Sequence, residues 1–353
     1  MRTAIYFSPI LLFALLITSC TGKQRGGSGD GNNKQAAELT FDSIKLQEVN
    51  KLEAVEEPQP VNYNDFPVAY VKNGALHLFN PETDTIVPFS EETDSVFNCV
   101  YSDRDAMFYY TVSRQGILVM KKVDLSAIPV QPALLFNLNK ATEKFFTETY
   151  GEKAKLSFVN NNLVLQNDFI WDYYDFTNFL NYSLENGTLE TINYRQFEER
   201  YKYHPVSGEE PKRGYHSVYE KAKQLDLQPD DYMDDDFEIE FDFTGASADG
   251  SKVVFAIILG FGDLPHGPYC VANADGTMMQ LLENTDLGSA FKPLWCNNNA
   301  VFLRSYDSET EKREWGEGKW IIELCYTRAD DNAIMPIDRD VDYYAVRKIH
   351  PMQ

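Results

Sequence analysis

The chain has 353 residues, 43% of them hydrophobic, which is enough for a sizeable core, and a formal net charge of −22 at pH 7. So acidic a surface repels phosphates and anionic lipid headgroups, which excludes nucleic-acid binding and electrostatic adhesion to membranes as its main function. After the first twenty residues, no stretch approaches the roughly 18 apolar residues of a membrane-spanning helix.

The N-terminus has the pattern of an export signal. The apolar run Ala4–Ser19 follows Arg2, is too short to span a bilayer and contains Pro9. Its last letters, "ITSC", resemble a bacterial lipobox, in which cleavage precedes the cysteine and a lipid is attached to it. We predict a lipoprotein signal peptide over residues 1–19 and lipid attachment at Cys20. An ordinary secretory signal with an incidental Cys20 is the alternative.

A polar segment follows the predicted lipidation site. Residues 21–36, "TGKQRGGSGDGNNKQA", are rich in Gly and polar residues and cannot bury enough surface to fold. We predict a flexible tether over residues 20–65. Thr21 does not resemble the Asp that retains lipoproteins of enteric bacteria in the inner membrane. The expected location is therefore the outer membrane, lipid-anchored on its periplasmic side, with the cell surface as the alternative.

The remainder of the chain repeats one short pattern. Four stretches place an Asp or Asn turn before a run of β-formers, with the turn residue at Asp103, Asn160, Asp249 and Asn297. A second series, ahead of another β-run, falls at Thr85, Ala133, Thr188, Thr277 and Ala333. Both series have a period near 50 residues and one doubled gap in the same place. Such a period of short strands and Asx turns predicts an all-β fold, a β-propeller.

The two ends of the array predict how the ring closes. The first unit begins with a hairpin around Asn73 and Gly74 and lacks a first strand, whereas residues 341–350, "VDYYAVRKIH", form a β-run with no unit after it. If that run completes the first blade, the ring closes without an exposed edge. We predict one propeller domain over residues 66–350 with five blades, and six blades as the alternative.

The doubled gap indicates an insertion over residues 195–242. It contains a predicted helix from about Tyr215 to Leu227, which Pro229 ends, and then an acidic run. The strand-like "FEIEFDF" from Phe237 leaves a degenerate sixth blade as the alternative.

The fourth unit, residues 246–295, resembles the propeller repeat of TolB-like proteins. Asp249-Gly250 and Asp275-Gly276 match the two Asp-Gly turns of that repeat. The other units match less well, since Asn161 and Asn298 replace the first glycine. The resemblance implies the fold and an address in the bacterial envelope. It leaves function open, because relatives include interaction modules, peptidase-attached propellers and a few polysaccharide lyases.

The residues that could support catalysis are scattered. The five histidines are spread along the chain, and only one, His266, lies in a loop of the best-matched blade; the positions are His77, His204, His216, His266 and His350. No nucleophile-elbow, zinc-protease or phosphate-loop motif occurs. We therefore predict no catalytic set, no metal site and no cofactor. The alternative is a lyase-like enzyme acting on polysaccharide, with His266 and carboxylates at the propeller channel.

Three other groups of residues could support binding or cross-linking. Asp230, Asp231 and Asp234–Asp236 invite calcium but lack the order of a known binding loop, so a solvated run is favoured. Asp172 and Asp175 beside Trp171, Tyr173 and Tyr174 suggest a sugar site, although packing between blades explains most aromatic residues. Cys99, Cys270, Cys296 and Cys325 lie in β-runs without metal-ligand spacing, which favours buried thiols over disulfides.

The sequence thus predicts a non-catalytic envelope lipoprotein. Its propeller is expected to be a binding or scaffolding module for a protein or glycan partner, carried by the ring face or by the insertion, with the membrane contacted only through the lipid. The binding residues are not predicted.

Overall fold

The computed structural model describes residues 61–114, 117–138, 154–166, 178–201, 214–229, 238–261, 265–285, 292–307 and 320–348. The predicted signal peptide and Cys20 lie outside these ranges, as do the tether up to residue 60 and the acidic run at 230–236. Within them, no helix has the length and hydropathy needed to cross a membrane.

Five four-stranded antiparallel sheets form the described fold, which confirms the predicted five-bladed β-propeller. Blade 2 contains β4 (Ser95–Tyr101), β5 (Met107–Arg114), β6 (Ile117–Asp124) and β7 (Ala133–Asn137). Blade 3 contains β8 (Lys155–Val159), β9 (Asn162–Gln166), β10 (Asn178–Ser183) and β11 (Leu189–Asn193).

Blade 4 contains β12 (Glu240–Ala246), β13 (Lys252–Ile258), β16 (Tyr269–Asn273) and β17 (Gln280–Leu282). A two-stranded ribbon, β14 (Gly260–Phe261) and β15 (Pro265–His266), extends from blade 4. Blade 5 contains β18 (Leu294–Cys296), β19 (Asn299–Asp307), β20 (Trp320–Thr327) and β21 (Ile334–Arg339).

Blade 1 is built from both ends of the array. Its order is β22 (Tyr343–Val346), β1 (Val68–Lys72), β2 (Ala75–Asn80) and β3 (Thr85–Pro88). The pairing of β22 with β1 runs from Val68 opposite Val346 to Val71 opposite Tyr343. The C-terminal β-run therefore supplies the missing first strand of blade 1, as the sequence predicts.

Turn chemistry explains why the repeat pattern forms hairpins. Asn73 and Gly74 both have positive φ, 50° and 74°, and join β1 to β2 in a two-residue turn. Asn160 and Asn161 do the same between β8 and β9, at 47° and 63°. Asn and Gly adopt this left-handed region at little steric cost, and the resulting turn matches the twist of the strands. The second sequence series falls at or just before the start of the outermost strand of each blade.

Four of the five blade interfaces share a hydrophobic cluster. Blades 1 and 2 pack through Leu78, Phe108 and Tyr110, and blades 2 and 3 through Tyr109 and Phe158. The remaining two interfaces contain Phe79 with Tyr326 (blades 1 and 5) and Val254 with Phe302 (blades 4 and 5). Each small sheet has two apolar faces, so it is stable only between neighbours.

The facing sides of blades 3 and 4, here called the seam, are different. Among the described residues no cluster joins these two blades directly. Instead α1 (Tyr194–Tyr201) packs Phe197 on Phe179 of blade 3, with ring centroids 4.4 Å apart. The second helix, α2 (His216–Ala222), packs Val218, Tyr219 and Ala222 on blade 4. The insertion thus covers the apolar faces that the seam would otherwise expose.

Three predicted boundaries are corrected by the structure. The predicted insertion ends at 242, but Glu240–Asp242 already belong to β12, so "FEIEFDF" leads into the first strand of blade 4 and not into a sixth blade. The predicted helix over 215–227 is shorter, His216–Ala222. At the other end, the predicted tether reaches 65, but Tyr63–Asp65 form a 3-10 helix and Tyr63 is buried against Phe89.

Candidate functional site

A cavity of about 590 Å³ lies on the axis of the ring. Its walls come from or border the terminal strand of every sheet, namely β4, β8, β12, β18 and β22. These five strands therefore face the axis, and we call the space between them the channel. Its volume falls within the range of roughly 300–1,000 Å³ that is usual for ligand sites.

Small residues on blade 4 leave the space open. Gly245, Ala246 and Ala248 line the channel on β12 and just after it. A Cβ added at Gly245 would lie 3.6 Å from Cδ1 and Nε1 of Trp295, which is an ordinary contact distance. Side chains of any size at these positions would therefore extend towards the channel and reduce its volume.

Two consecutive tyrosines of β22 fix the walls. The Tyr343 hydroxyl donates to the Leu156 carbonyl at 3.1 Å and accepts from the Leu156 amide at 2.9 Å, which links blade 1 to blade 3. The Tyr344 hydroxyl donates to the Lys292 carbonyl at 2.7 Å, which links blade 1 to blade 5. Burial raises the pKa of Tyr344 well above its ordinary value, so the hydroxyl remains a donor. These bonds also show that β8, β18 and β22 begin at the same end of the channel.

The charged residues of the channel are mostly cationic. Lys155 and Lys292 lie where β8 and β18 begin, whereas Lys348 and Asp103 follow the ends of β22 and β4. The described lining thus carries three lysines and one aspartate in a chain whose net charge is −22. The channel therefore differs in sign from the protein as a whole.

In the described part of the lining, two polar atoms are buried without a hydrogen-bond partner. They are Oδ1 of Asp103 and Nε1 of Trp295. The Arg104 guanidinium lies 3.9 Å from Asp103 Oδ1, beyond hydrogen-bond range, and is largely exposed. A buried polar atom without a partner costs about 1–3 kcal/mol, so each such atom in a native protein calls for an explanation. An acceptor and a donor in the same cavity fit a ligand that carries both a hydrogen-bond donor and a hydrogen-bond acceptor.

The residues considered for catalysis do not meet at this site. His77 is in β2, where its ring stacks on Tyr70 with centroids 5.0 Å apart, and burial lowers its pKa. His216 lies in α2 and His266 in β15, and neither lines the channel. His266, which the enzyme alternative places at the channel, is therefore not one of the residues that line it. His204, His350, Asp172 and Asp175 lie outside the described residues, and within the described ranges no three metal-ligating side chains are grouped.

The four cysteines are buried and free, as the β-runs predict. Burial raises the pKa of Cys270 to about 12 and that of Cys296 to about 12, so both remain thiols at neutral pH. They pack in the blades as small apolar residues.

The residues that define the channel were not predicted. Trp295 begins the repeat stretch "WCNNNAVFL", two residues before the turn at Asn297, but nothing in that pattern marks its ring as facing the axis. Lys292 and Lys348 flank β-runs and read as ordinary surface lysines. The channel residues share only their place in the repeat, in or beside the first strand of a unit, and the pattern does not mark that strand as the innermost one.

Comparisons with known proteins find no matching family model and no matching curated sequence. Among solved structures, TolB from Acinetobacter baumannii is similar at 13% identity and a TM-score of 0.27, with 78% of this chain and 52% of that chain covered. A putative TolB from Agrobacterium tumefaciens is similar at 10% identity and a TM-score of 0.27, over 78% of this chain and 80% of that one. A GH74 enzyme from Niastella koreensis is similar at 9% identity and a TM-score of 0.31, over 78% and 44%.

The chain spans about half the length of the Acinetobacter TolB. Identities of 9–13% and TM-scores of 0.27–0.31 do not assign the chain to the family of any of these proteins. The assignment itself follows from the five sheets and their closing strand: the chain is a five-bladed β-propeller.

Proposed function

We propose that the chain is a non-catalytic envelope lipoprotein whose propeller binds a protein partner by receiving a short peptide segment in the channel. The observation that carries the proposal is the cavity bordered by all five blades, in which Asp103 Oδ1 and Trp295 Nε1 have no partner. A rigid ring with one open cavity and loops at its ends is typical of binding sites.

The lining favours a peptide over a glycan. Aliphatic and aromatic side chains dominate the walls, among them Val100, Phe158, Val159, Leu294 and Val346. A sugar chain needs hydrogen bonds for many hydroxyls, whereas the three tyrosine hydroxyls of the described lining already donate to backbone carbonyls. An extended peptide combines apolar side chains with one N–H and one C=O per residue. Its side chains can therefore pack on the apolar walls while its backbone forms hydrogen bonds with Asp103 Oδ1 and Trp295 Nε1.

The envelope address is a separate part of the proposal. It is supported by the apolar run before Cys20 and by the polar segment that follows it. We expect Cys20→Ser to move the protein from the membrane fraction to the soluble fraction, because a lipid chain is the only predicted anchor. Fractionation with immunoblotting measures this. A variant that stays in the membrane fraction would contradict the anchor.

A plug in the channel tests the binding function. Gly245→Phe places a ring in the cavity from a position with ordinary space for a Cβ, and we expect it to abolish peptide binding without lowering the melting temperature. The probe is a random hexapeptide library, selected on the full chain and on the variant, with a glycan array as a parallel arm. Gly214→Phe is the matched control, since nothing lies within 4 Å of its added Cβ. Ala248→Phe, at an exposed lining position, is a second plug if the first does not fold.

Each outcome of this test decides the proposal. Peptides enriched on the full chain and on Gly214→Phe, but not on the plugged variant, support it. Equal enrichment on the plugged variant places binding outside the channel and overturns it. Glycan binding lost in the plugged variant would identify a glycan as the partner, and no binding of either probe would leave a structural envelope component.

A further inference from the structure

The charge of the channel is opposite to that of the chain. Its described lining contains three lysines, Lys155, Lys292 and Lys348, and one carboxylate, that of Asp103, whereas the whole chain has 54 acidic and 32 basic residues. A cavity in which one sign of charge predominates attracts ligands of the opposite sign, because the low dielectric of its apolar walls concentrates the field. An acidic surface around it repels the same ligands elsewhere, so an anion gains only inside the channel.

Two of the lysines are available to a ligand. In the described part of the chain, no carboxylate lies within 4.0 Å of the Lys292 or Lys348 ammonium, and both residues are exposed. The backbone at Lys292 is held by the bond from Tyr344. A ligand carboxylate at Lys292 therefore meets a charge whose backbone is held in place, and at neither lysine does it break an ion pair with a described residue.

The two lysines lie at opposite ends of the channel. Lys292 precedes β18, and its carbonyl is bonded to the start of β22 through Tyr344. Lys348 comes two residues after the end of β22. Because β22 runs along the channel between them, the two ammonium groups mark its two mouths. A single compact anion fits this arrangement less well than an extended chain with separated carboxylates.

The unpartnered polar atoms suit a peptide backbone between these mouths. Asp103 Oδ1 accepts from an N–H and Trp295 Nε1 donates to a C=O, and every peptide unit carries both groups. The Trp295 ring and its aliphatic neighbours supply the apolar contacts of the intervening side chains.

From this arrangement we infer that the channel selects an acidic peptide segment, bound in extended form with its carboxylates towards Lys292 and Lys348. This inference rests on the proposed function and adds the chemistry of the ligand. Lys155 adds to the positive field at the Lys292 mouth. The three lysines outnumber the one carboxylate of the described lining, Asp103, whose role is to accept a hydrogen bond from a backbone N–H of the peptide.

The same random hexapeptide library tests the inference with the full chain. Peptides enriched on the full chain but not on Gly245→Phe are sequenced, and we expect Asp and Glu to be over-represented relative to the library. One enriched peptide is then synthesised, and its Kd is measured against the full chain at low and high salt. We expect Lys292→Gln/Lys348→Gln to raise this Kd about tenfold, and added salt to reduce the difference.

The controls separate the two hypotheses. Lys223 is an exposed lysine directly after α2 and does not line the channel. We expect the Lys223→Gln variant to bind the synthesised peptide with the same Kd as the full chain. Channel-dependent enrichment of neutral or basic peptides would overturn the inference and leave the proposed function standing, as would an unchanged Kd in the double lysine variant. Absence of channel-dependent enrichment would overturn both.

Discussion

Removal of residues 341–353 is expected to abolish cooperative folding of the propeller. The truncation deletes β22, on which Tyr343, Tyr344 and Ala345 are buried. Loss of two buried aromatic side chains alone costs about 6–10 kcal/mol, which is comparable to the whole folding free energy of about 5–15 kcal/mol. The deletion also removes the Tyr343 and Tyr344 bonds to blades 3 and 5. One strand therefore holds three blades together.

Size-exclusion chromatography and thermal unfolding followed by circular dichroism measure the effect. We expect aggregated protein without a sigmoidal transition, because β1 becomes an unpaired edge beside an exposed apolar face. The matched control ends at Lys348 and retains every described residue of the propeller. It should melt within about 2 °C of the full chain. A truncated chain that remains monomeric and melts like this control would show that β22 does not close the ring.

The closure of the ring could be predicted from the sequence because two terminal observations complement each other. A hairpin around Asn73 and Gly74 lacked a first strand, and the run at 341–350 lacked a blade. Turn chemistry is local, so Asn and Gly at positive φ could also be located from the sequence alone. These features depend on neighbours along the chain or on simple counting of units.

The seam could not be predicted, because its packing depends on contacts between distant segments. The face of blade 4 around Phe255 looks in sequence like any other blade face, yet α2 covers it through Tyr219, with ring centroids 5.6 Å apart. Strand β13 is buried along its whole length for this reason, with blade 5 on one face and the helix on the other. The sequence showed that an insertion exists but not which surface it covers.

The channel residues were missed for a related reason. Whether Trp295 faces the axis depends on which strand of a blade lies innermost and on the register of that strand, and the sequence pattern fixes neither. Histidines drew attention instead because of their chemistry, and His266 lies in a ribbon away from the channel lining. Composition indicated an acidic protein, so a locally cationic cavity could be seen only once the five strands were assembled.

A buried ion cluster in blade 2 gives the second large effect. The Lys121 ammonium donates to Glu92 at 2.7 and 2.8 Å and to Asp94 at 2.9 Å. The Glu92 side chain is only 3% exposed, and it also accepts from the Tyr110 hydroxyl at 2.8 Å. The cluster ties the loop that leaves blade 1 to strands β5 and β6. Burial alone would lower the pKa of Lys121, but the hydrogen bonds that it donates to Glu92 and Asp94 raise this pKa above the ordinary value.

We expect Lys121→Met to reduce the free energy of unfolding by about 3 kcal/mol, because it leaves a buried carboxylate beside a second one without a cation. Urea unfolding at pH 7 measures this. Since the folded-state pKa of Lys121 is raised, its contribution is fully present below the unfolded pKa near 10.5 and is lost only as the pH rises through the folded value. The effect should therefore be constant between about pH 6 and 9.

A double variant and a neighbouring lysine separate the charge from the packing. Glu92→Gln/Lys121→Met removes the stranded charge and is expected to recover about half of the loss, since a buried pair replaced by neutral groups costs less than a broken pair. Lys122→Met, on the opposite face of β6, should change stability by less than about 0.5 kcal/mol. Two results would contradict this role of the cluster: Lys121→Met is no more destabilising than Lys122→Met, or the double variant has a lower free energy of unfolding than Lys121→Met. The stability of this interface would then come from the apolar contacts of Phe89 and Tyr110 alone.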